Sequence, residues 1–146
     1  MTIATPPGIT KPPYAFAQDD QALLNEVEHG AFLYLWHECS PTTGMVHDRT
    51  SAKLVSIAGV GFQLAALPVG VKRGWITPDQ AHQRATLIIS SLASNPSNRK
   101  AGLFYHFLDD QTAGPYKEAY ESVVSTIDSA ILFCGIIVAS EYFGGE

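Results

Sequence analysis

Four stretches of this chain carry residues that can do chemistry. Ser125-Thr126-Ile127-Asp128 opens an apolar run, Ala130 to Ala139, that contains no charge. Asp128 is therefore a carboxylate in the first turn of a helix that should be buried, and an unpaired buried charge costs several kcal/mol, on the order of a whole domain's stability. Such an acid either faces a wet cleft, where it can serve as acid, base or hydroxyl ligand, or is satisfied by backbone N–H groups and the helix dipole. Asp48-Arg49 offers a carboxylate beside a guanidinium that presents two parallel donors, or a salt bridge that braces a loop. Phe104-Tyr105-His106-Phe107 offers aromatic faces and an imidazole donor, or the core of a strand. Alternation across a strand puts Tyr105 and Phe107 on one face and Phe104 and His106 on the other. Glu118 and Glu121 lie in the loop before Ser125 and read first as surface acids, Glu121 being the better candidate for a chemical role.

Composition narrows the field. The chain has 146 residues, 46% apolar and 16% charged, enough for one domain with its own core. A formal charge of −5, with Lys72-Arg73 and Arg99-Lys100 as the only adjacent basic pairs, argues against nucleic acid and anionic membrane as partners. Cys39 and Cys134 make no disulfide framework, and no Cys or His spacing matches a zinc site. No metal or organic cofactor is implied. Neither GxxxxGK[ST] nor GxSxG occurs. The N-terminus shows no signal peptide, and the apolar run from Ile127 to Ala139 reads as too short to span a bilayer. The sequence thus reads as soluble and leaves the compartment open.

Residues 1–17, with Pro6, Pro7, Pro12 and Pro13, read as an extended segment, and 18–146 as the helical domain. Helix one starts at the caps Asp19-Asp20 and runs to Cys39, with Leu23, Leu24, Val27, Ala31, Leu35 and Trp36 on one stripe. Helix two starts at Ser56 and is apolar all round except for Gln63. Thr77-Pro78-Asp79-Gln80 is a capping box with Pro at the first helical position, and opens helix three, which stops near Asn95-Pro96. Helix four spans Ser125–Phe143. The strand formers from Gly102 to Asp109 predict a short β-hairpin within 102–116, turning at 110–115. Trp36 and Trp75 read as packing, and His29, His37, His47 and His82 as solvated.

Helices one and three are amphipathic; two and four are apolar nearly all round. An amphipathic helix lies on an outside layer and an apolar one between layers. The alternation predicts an all-α fold of antiparallel helical hairpins arranged as a toroid. Both long loops, 41–55 and 96–124, then lead to the N-termini of inner helices and share one face, with positive helix ends pointing into it.

The run from Glu26 to Trp36, then Thr43-Gly44-Met45-Val46-His47-Asp48-Arg49, Ser56 to Phe62, Ala66 to Gly70, Arg73-Gly74-Trp75-Ile76, Gly102 to Asp109 and Ser125-Thr126-Ile127-Asp128 occur in an order that resembles the glucoamylase-like family. That family includes bacterial endo-β-1,2-glucanases and a domain of cyclic β-1,2-glucan synthases. The resemblance covers about residues 20–144. It implies an (α/α)6 toroid with a sugar cleft at the N-terminal ends of its inner helices, of which four helices are the first third. It also implies proteins often exported in bacteria. The family carries an acid two residues before the Ser of the last motif. Here that position is Val123, and Glu121 would have to take its place through a changed loop.

The resemblance implies a glycoside hydrolase-like domain acting on β-linked glucan, with Asp128 and Glu121 as candidate catalytic carboxylates. Asp48, Arg49, Phe104, Tyr105 and His106 are candidate sugar contacts. The alternative is a non-catalytic carbohydrate-binding or helical interaction module that has lost the reaction. A toroid segment leaves apolar flanks of its inner helices uncovered, which predicts self-association.

Overall fold

A computed structural model describes residues 16–116 and 123–144. The chain divides into two compact units, 1–31 and 32–146. The first, where described, is the opening of helix α1 (Gln18–His37), with Asp19 and Asp20 in its first turn and a Gln21–Asn25 hydrogen bond of 3.2 Å along it. The expected extended segment at 1–17 lies outside the described residues apart from Phe16 and Ala17.

The second unit holds the end of α1, helices α2 (Ile57–Lys72), α3 (Pro78–Ser94) and α4 (Thr126–Phe143), and a set of short strands. The start of α3 forms as its sequence dictates. The Thr77 hydroxyl accepts from the Gln80 amide (3.2 Å) and the Gln80 side chain accepts from the Thr77 amide (2.8 Å). Helix α2 carries Pro68 inside it and continues to Lys72 before returning through a tight turn into α3. The core gathers Ile57, Val60, Leu64 and Leu67 of α2, Ala81, Ala85, Ile88 and Leu92 of α3, and Leu132 and Ala139 of α4, with Phe32 and Met45.

α2 and α4 touch backbone to backbone. A Cβ added to Gly61 would meet the Ile131 carbonyl at 2.5 Å, and one added to Gly135 would meet Gly61 itself. α4 buries only Ser129, Leu132, Gly135 and Ala139, a single stripe at helical spacing. Its other face is open, with Ile127 71% and Ile137 60% exposed, and Phe62 of α2 is 60% exposed. Helix α4 is thus sheathed on one side only, whereas α2 buries a wider face, with Ile57, Val60, Gly61, Gln63, Leu64, Leu67 and Gly70. By length and composition alone α4, at 18 residues, is long and apolar enough to cross a membrane, which corrects the reading of that run as too short. Core helices of soluble proteins that are mostly buried meet the same criterion; 22% of this window is buried, the part that packs on α2.

The strand arrangement differs from the expected simple hairpin. β1 (Leu54–Ser56) pairs antiparallel with β4 (Phe107–Asp109), and β2 (Arg99–Lys100) with β3 (Leu103–Phe104). The turn at 110–115 does form, with Ala113 N–H donating to the Asp109 carbonyl (3.0 Å), but its return arm is a single bridge, Leu108 to Pro115. Strand β4 finds its main partner in the loop before α2, about fifty residues back along the chain.

Candidate functional site

The pairing of β1 with β4 brings the two long loops together at the start of α2 and α4, as the shared-face expectation requires. The segment 104–106 is the junction. The Ile57 amide, first in α2, donates to the His106 carbonyl (3.1 Å), and the His106 amide donates to Val123 (2.8 Å). The Ser125 amide donates to Phe104 (3.0 Å), and the Phe104 amide to the Ser129 hydroxyl (2.9 Å). One short stretch of chain therefore ties down both helix N-termini, and α2 and α4 start side by side.

Asp128 stands at this junction. Its carboxylate accepts from the Ser125 hydroxyl, whose oxygen accepts from the Asp128 amide (3.2 Å), so Ser125 and Asp128 form a reciprocal helix cap. The same carboxylate oxygen lies 3.9 Å from His106 Nε2, with the side chains 15% and 27% exposed for Asp128 and His106. The acid thus takes part in a helix cap and lies beside a part-exposed imidazole. The His106 ring stacks on Phe107 at 3.8 Å between centroids. That corrects the expected alternation, which put these two on opposite faces. The ladder is broken at residues 105–106, where the backbone turns to bond Val123 and Ile57, so the period of two does not hold.

The other candidates fall as follows. Phe104 is a core residue, 7% exposed, with its ring edge-on to Phe133 at 6.0 Å. Tyr105 is part-buried against the core and bridges Val124. Asp48 and Arg49 pair with each other (Arg49 Nε to Asp48 Oδ2, 3.2 Å), with Arg49 the more exposed, and the Asp48 amide donates to Leu54 at the start of β1 (2.8 Å). Glu118 and Glu121 lie outside the described residues. Trp36 and Trp75 pack around Phe32, as read, and the Arg84 guanidinium covers Trp36 at 4.3 Å. Among the described residues there is no cluster of three or more His, Cys, Asp or Glu that could hold a metal ion.

Two polar centres went unread in the sequence. His47, taken as solvated, lies 3.1 Å from Asp110 Oδ2 with its side chain 16% exposed and that of Asp110 4%. Buried Gln63 donates to the Gly44 carbonyl (2.9 Å) and the Leu35 carbonyl (3.1 Å), and accepts from the Val46 amide (3.0 Å). Gln63 had a signal, being the lone polar side chain between Ile57 and Val71 of an apolar helix. The His47–Asp110 pair had none, because its members are 63 residues apart.

Comparison with known proteins returns one group. An exo β-1,2-glucooligosaccharide sophorohydrolase (non-reducing end) of Parabacteroides distasonis is 27% identical over 139 residues, 90% of this chain and 18% of that protein. A glucoamylase-like protein of Bacteroides uniformis superposes with a TM-score of 0.77 at 26% identity, over 88% of this chain and 32% of the other. An endo-β-1,2-glucanase of Chitinophaga pinensis, solved with sophorotriose and glucose, gives a TM-score of 0.74 at 26% identity, over 89% and 32%. No family model matches the chain. The relatives are glucoamylase-like proteins and β-1,2-glucanases, the group that the sequence motifs resemble. The fold is all-α, corresponding to part of the (α/α)6 toroid of those proteins. The chain spans about a fifth to a third of the length of the relatives it matches.

Proposed function

We propose that this chain forms part of a glycoside hydrolase-like domain that engages β-linked glucan, with β-1,2-glucan as the substrate class. The observation that carries the reading is the Asp128 carboxylate beside His106 at the shared starting ends of α2 and α4. A carboxylate and an imidazole on such a rim suit a ligand made of hydroxyls, and the Chitinophaga pinensis relative is an endo-β-1,2-glucanase. In this reading Asp128 is the acid, base or hydroxyl ligand, and His106, Tyr105, Asp48 and Arg49 line the sugar path, with Phe104 supporting them from the core. Hydrolysis needs two carboxylates flanking the scissile bond, about 5–5.5 Å apart for retention or about 6.5–9.5 Å for inversion. Glu121 is the second candidate. Release of reducing sugar from β-1,2-glucan by the purified chain tests the reading.

The second reading is a carbohydrate-binding module without turnover. It is favoured by Val123, 59% exposed, at the position where the resemblance implies an acid. Saccharide binding by calorimetry with no sugar release would select it. The open face of α4, with Phe62 of α2, further supports self-association through a second copy of this chain. A monodisperse monomer by light scattering would refute that part.

A further inference from the structure

We propose that His47 and Asp110 form a positioning pair that holds the loop bearing Asp48 and Arg49 in register with the strand bearing His106. The inference rests on the saccharide reading above and adds to it the means by which the rim is kept in one geometry. His47 directly precedes Asp48, and Asp110 directly follows β4, whose first residue, Phe107, stacks on His106. The pair thus joins the two loops that supply the described candidate contacts of the rim. The backbone link between those loops is the pairing of β1 with β4, only three residues long. A ladder of about 10 Å fixes register along the strands, and the bonds of Thr42 and Thr43 to Gln111 and Asp110 hold the far side of the loop. The His47–Asp110 contact, next to Asp48 itself, fixes the end of the loop that carries the rim residues.

The local bonding shows that the tie is built rather than incidental. The Thr43 hydroxyl donates to the Asp110 carbonyl (2.8 Å) and the Tyr34 hydroxyl donates to the His47 carbonyl (3.0 Å), so the backbone of each partner is itself anchored. The Asp110 carboxylate is enclosed, and an enclosed carboxylate left without its partner is strongly unfavourable. Neutral histidine with hydrogen on Nε2 and the imidazolium both donate to that carboxylate, so the tie does not depend on the charge of His47.

The test uses His47→Ala, Asp110→Ala and the double variant, with titration calorimetry against a β-1,2-linked gluco-oligosaccharide and amide hydrogen exchange. Each single variant, confirmed folded by circular dichroism, is expected to weaken binding at least tenfold, the double no more than the weaker single. The Asp48 amide should exchange faster while those of α3 stay protected. Folded single variants that bind within twofold of the parent would overturn the proposal. If the parent itself binds no saccharide, the functional reading fails, and the pair is judged on exchange alone: unaltered Asp48 protection in His47→Ala would overturn it. Should the alanine variants not fold, His47→Gln and Asp110→Asn, which keep one hydrogen bond, are expected to give smaller losses in the same two measurements, and parent-like values in both would overturn it.

Discussion

The backbone of Gly135 rests on the backbone of Gly61: a Cβ built on residue 135 falls into the Gly61 carbonyl and lies 2.7 Å from its Cα. The obstruction is main chain on both sides, so no side chain can rotate away to make room. The crossing of α2 and α4, and with it the joint placement of their N-termini, depends on two missing methyl groups. Gly135→Ala and Gly61→Ala are each expected to destabilise by about 3 kcal/mol or more, at the upper end of overpacking effects. Gly30→Ala in α1 meets nothing within 4 Å and is expected to stabilise, by up to about 1 kcal/mol. Urea titration of the three variants checks both signs.

Gln63 is the second internal fixture. Its amide satisfies two carbonyls and one N–H on the final turn of α1 and the loop 40–46, in a place closed to water. Gln63→Ala strands those groups at about 1–3 kcal/mol each, partly relieved by water entering the space. The expected net loss is about 2–4 kcal/mol in denaturant, with proteolytic nicking appearing first between Ser40 and Asp48.

What the sequence revealed follows the range of the interactions. The capping box at Thr77–Gln80 is closed within four residues, and its residue types alone identify it; Asp128 was legible as a first-turn acid, but not its bond to the Ser125 hydroxyl. The single polar position within the apolar run of α2 was visible at Gln63, but its partners were not, since they come from an element and a loop that only tertiary structure brings near. The β1–β4 pairing escaped because three-residue strands carry almost no periodic signal. His106 and Phe107 escaped for a related reason: their stacking arises where the ladder stops, so strand alternation could not predict it.

Acid titration should reveal Asp109. Burial alone would raise its pKa, but the hydroxyl and amide of Thr112 and the amide of Gln111, all bonded to Oδ1 at 2.8–3.1 Å, outweigh that and hold it below the ordinary 3.8. A carboxylate with a lowered folded-state pKa binds fewer protons folded than unfolded. Its stabilisation is therefore full above the unfolded value and is lost as pH falls through the folded one. Asp109→Asn keeps an acceptor but cannot titrate. Its unfolding free energy is expected to fall less steeply than the parent's below about pH 4, as read from denaturation series at several pH values.

The two thiols should separate cleanly. Cys134 is exposed on the open face of α4. The Cys39 thiol is part-buried, donates to the Leu35 carbonyl at 3.1 Å, and has its pKa raised chiefly by burial. Reaction goes through the thiolate, so Cys39 is protected by both access and protonation. Ellman's reagent at neutral pH is expected to titrate one thiol rapidly in the native chain and two after denaturation. Cys134→Ser should abolish the fast phase.

Asp128 holds two roles that substitution can separate. As half of the Ser125 cap it contributes to α4 through a hydrogen bond and through its charge at the positive helix end, together about 1 kcal/mol. Asp128→Asn keeps a carbonyl oxygen for the Ser125 hydroxyl, so its stability loss is expected to stay below about 1 kcal/mol. The carboxylate that faces His106 is gone in that variant. Saccharide affinity should then fall at least tenfold, and any glucan cleavage by the parent should disappear. A purely capping Asp128 would give the opposite result: parent-like affinity and turnover in the folded Asn variant, with any loss confined to the thermal midpoint. Calorimetry and thermal denaturation on one preparation distinguish the two, because cap and cleft draw on different properties of the same carboxylate: one needs an acceptor, the other a charge or a proton.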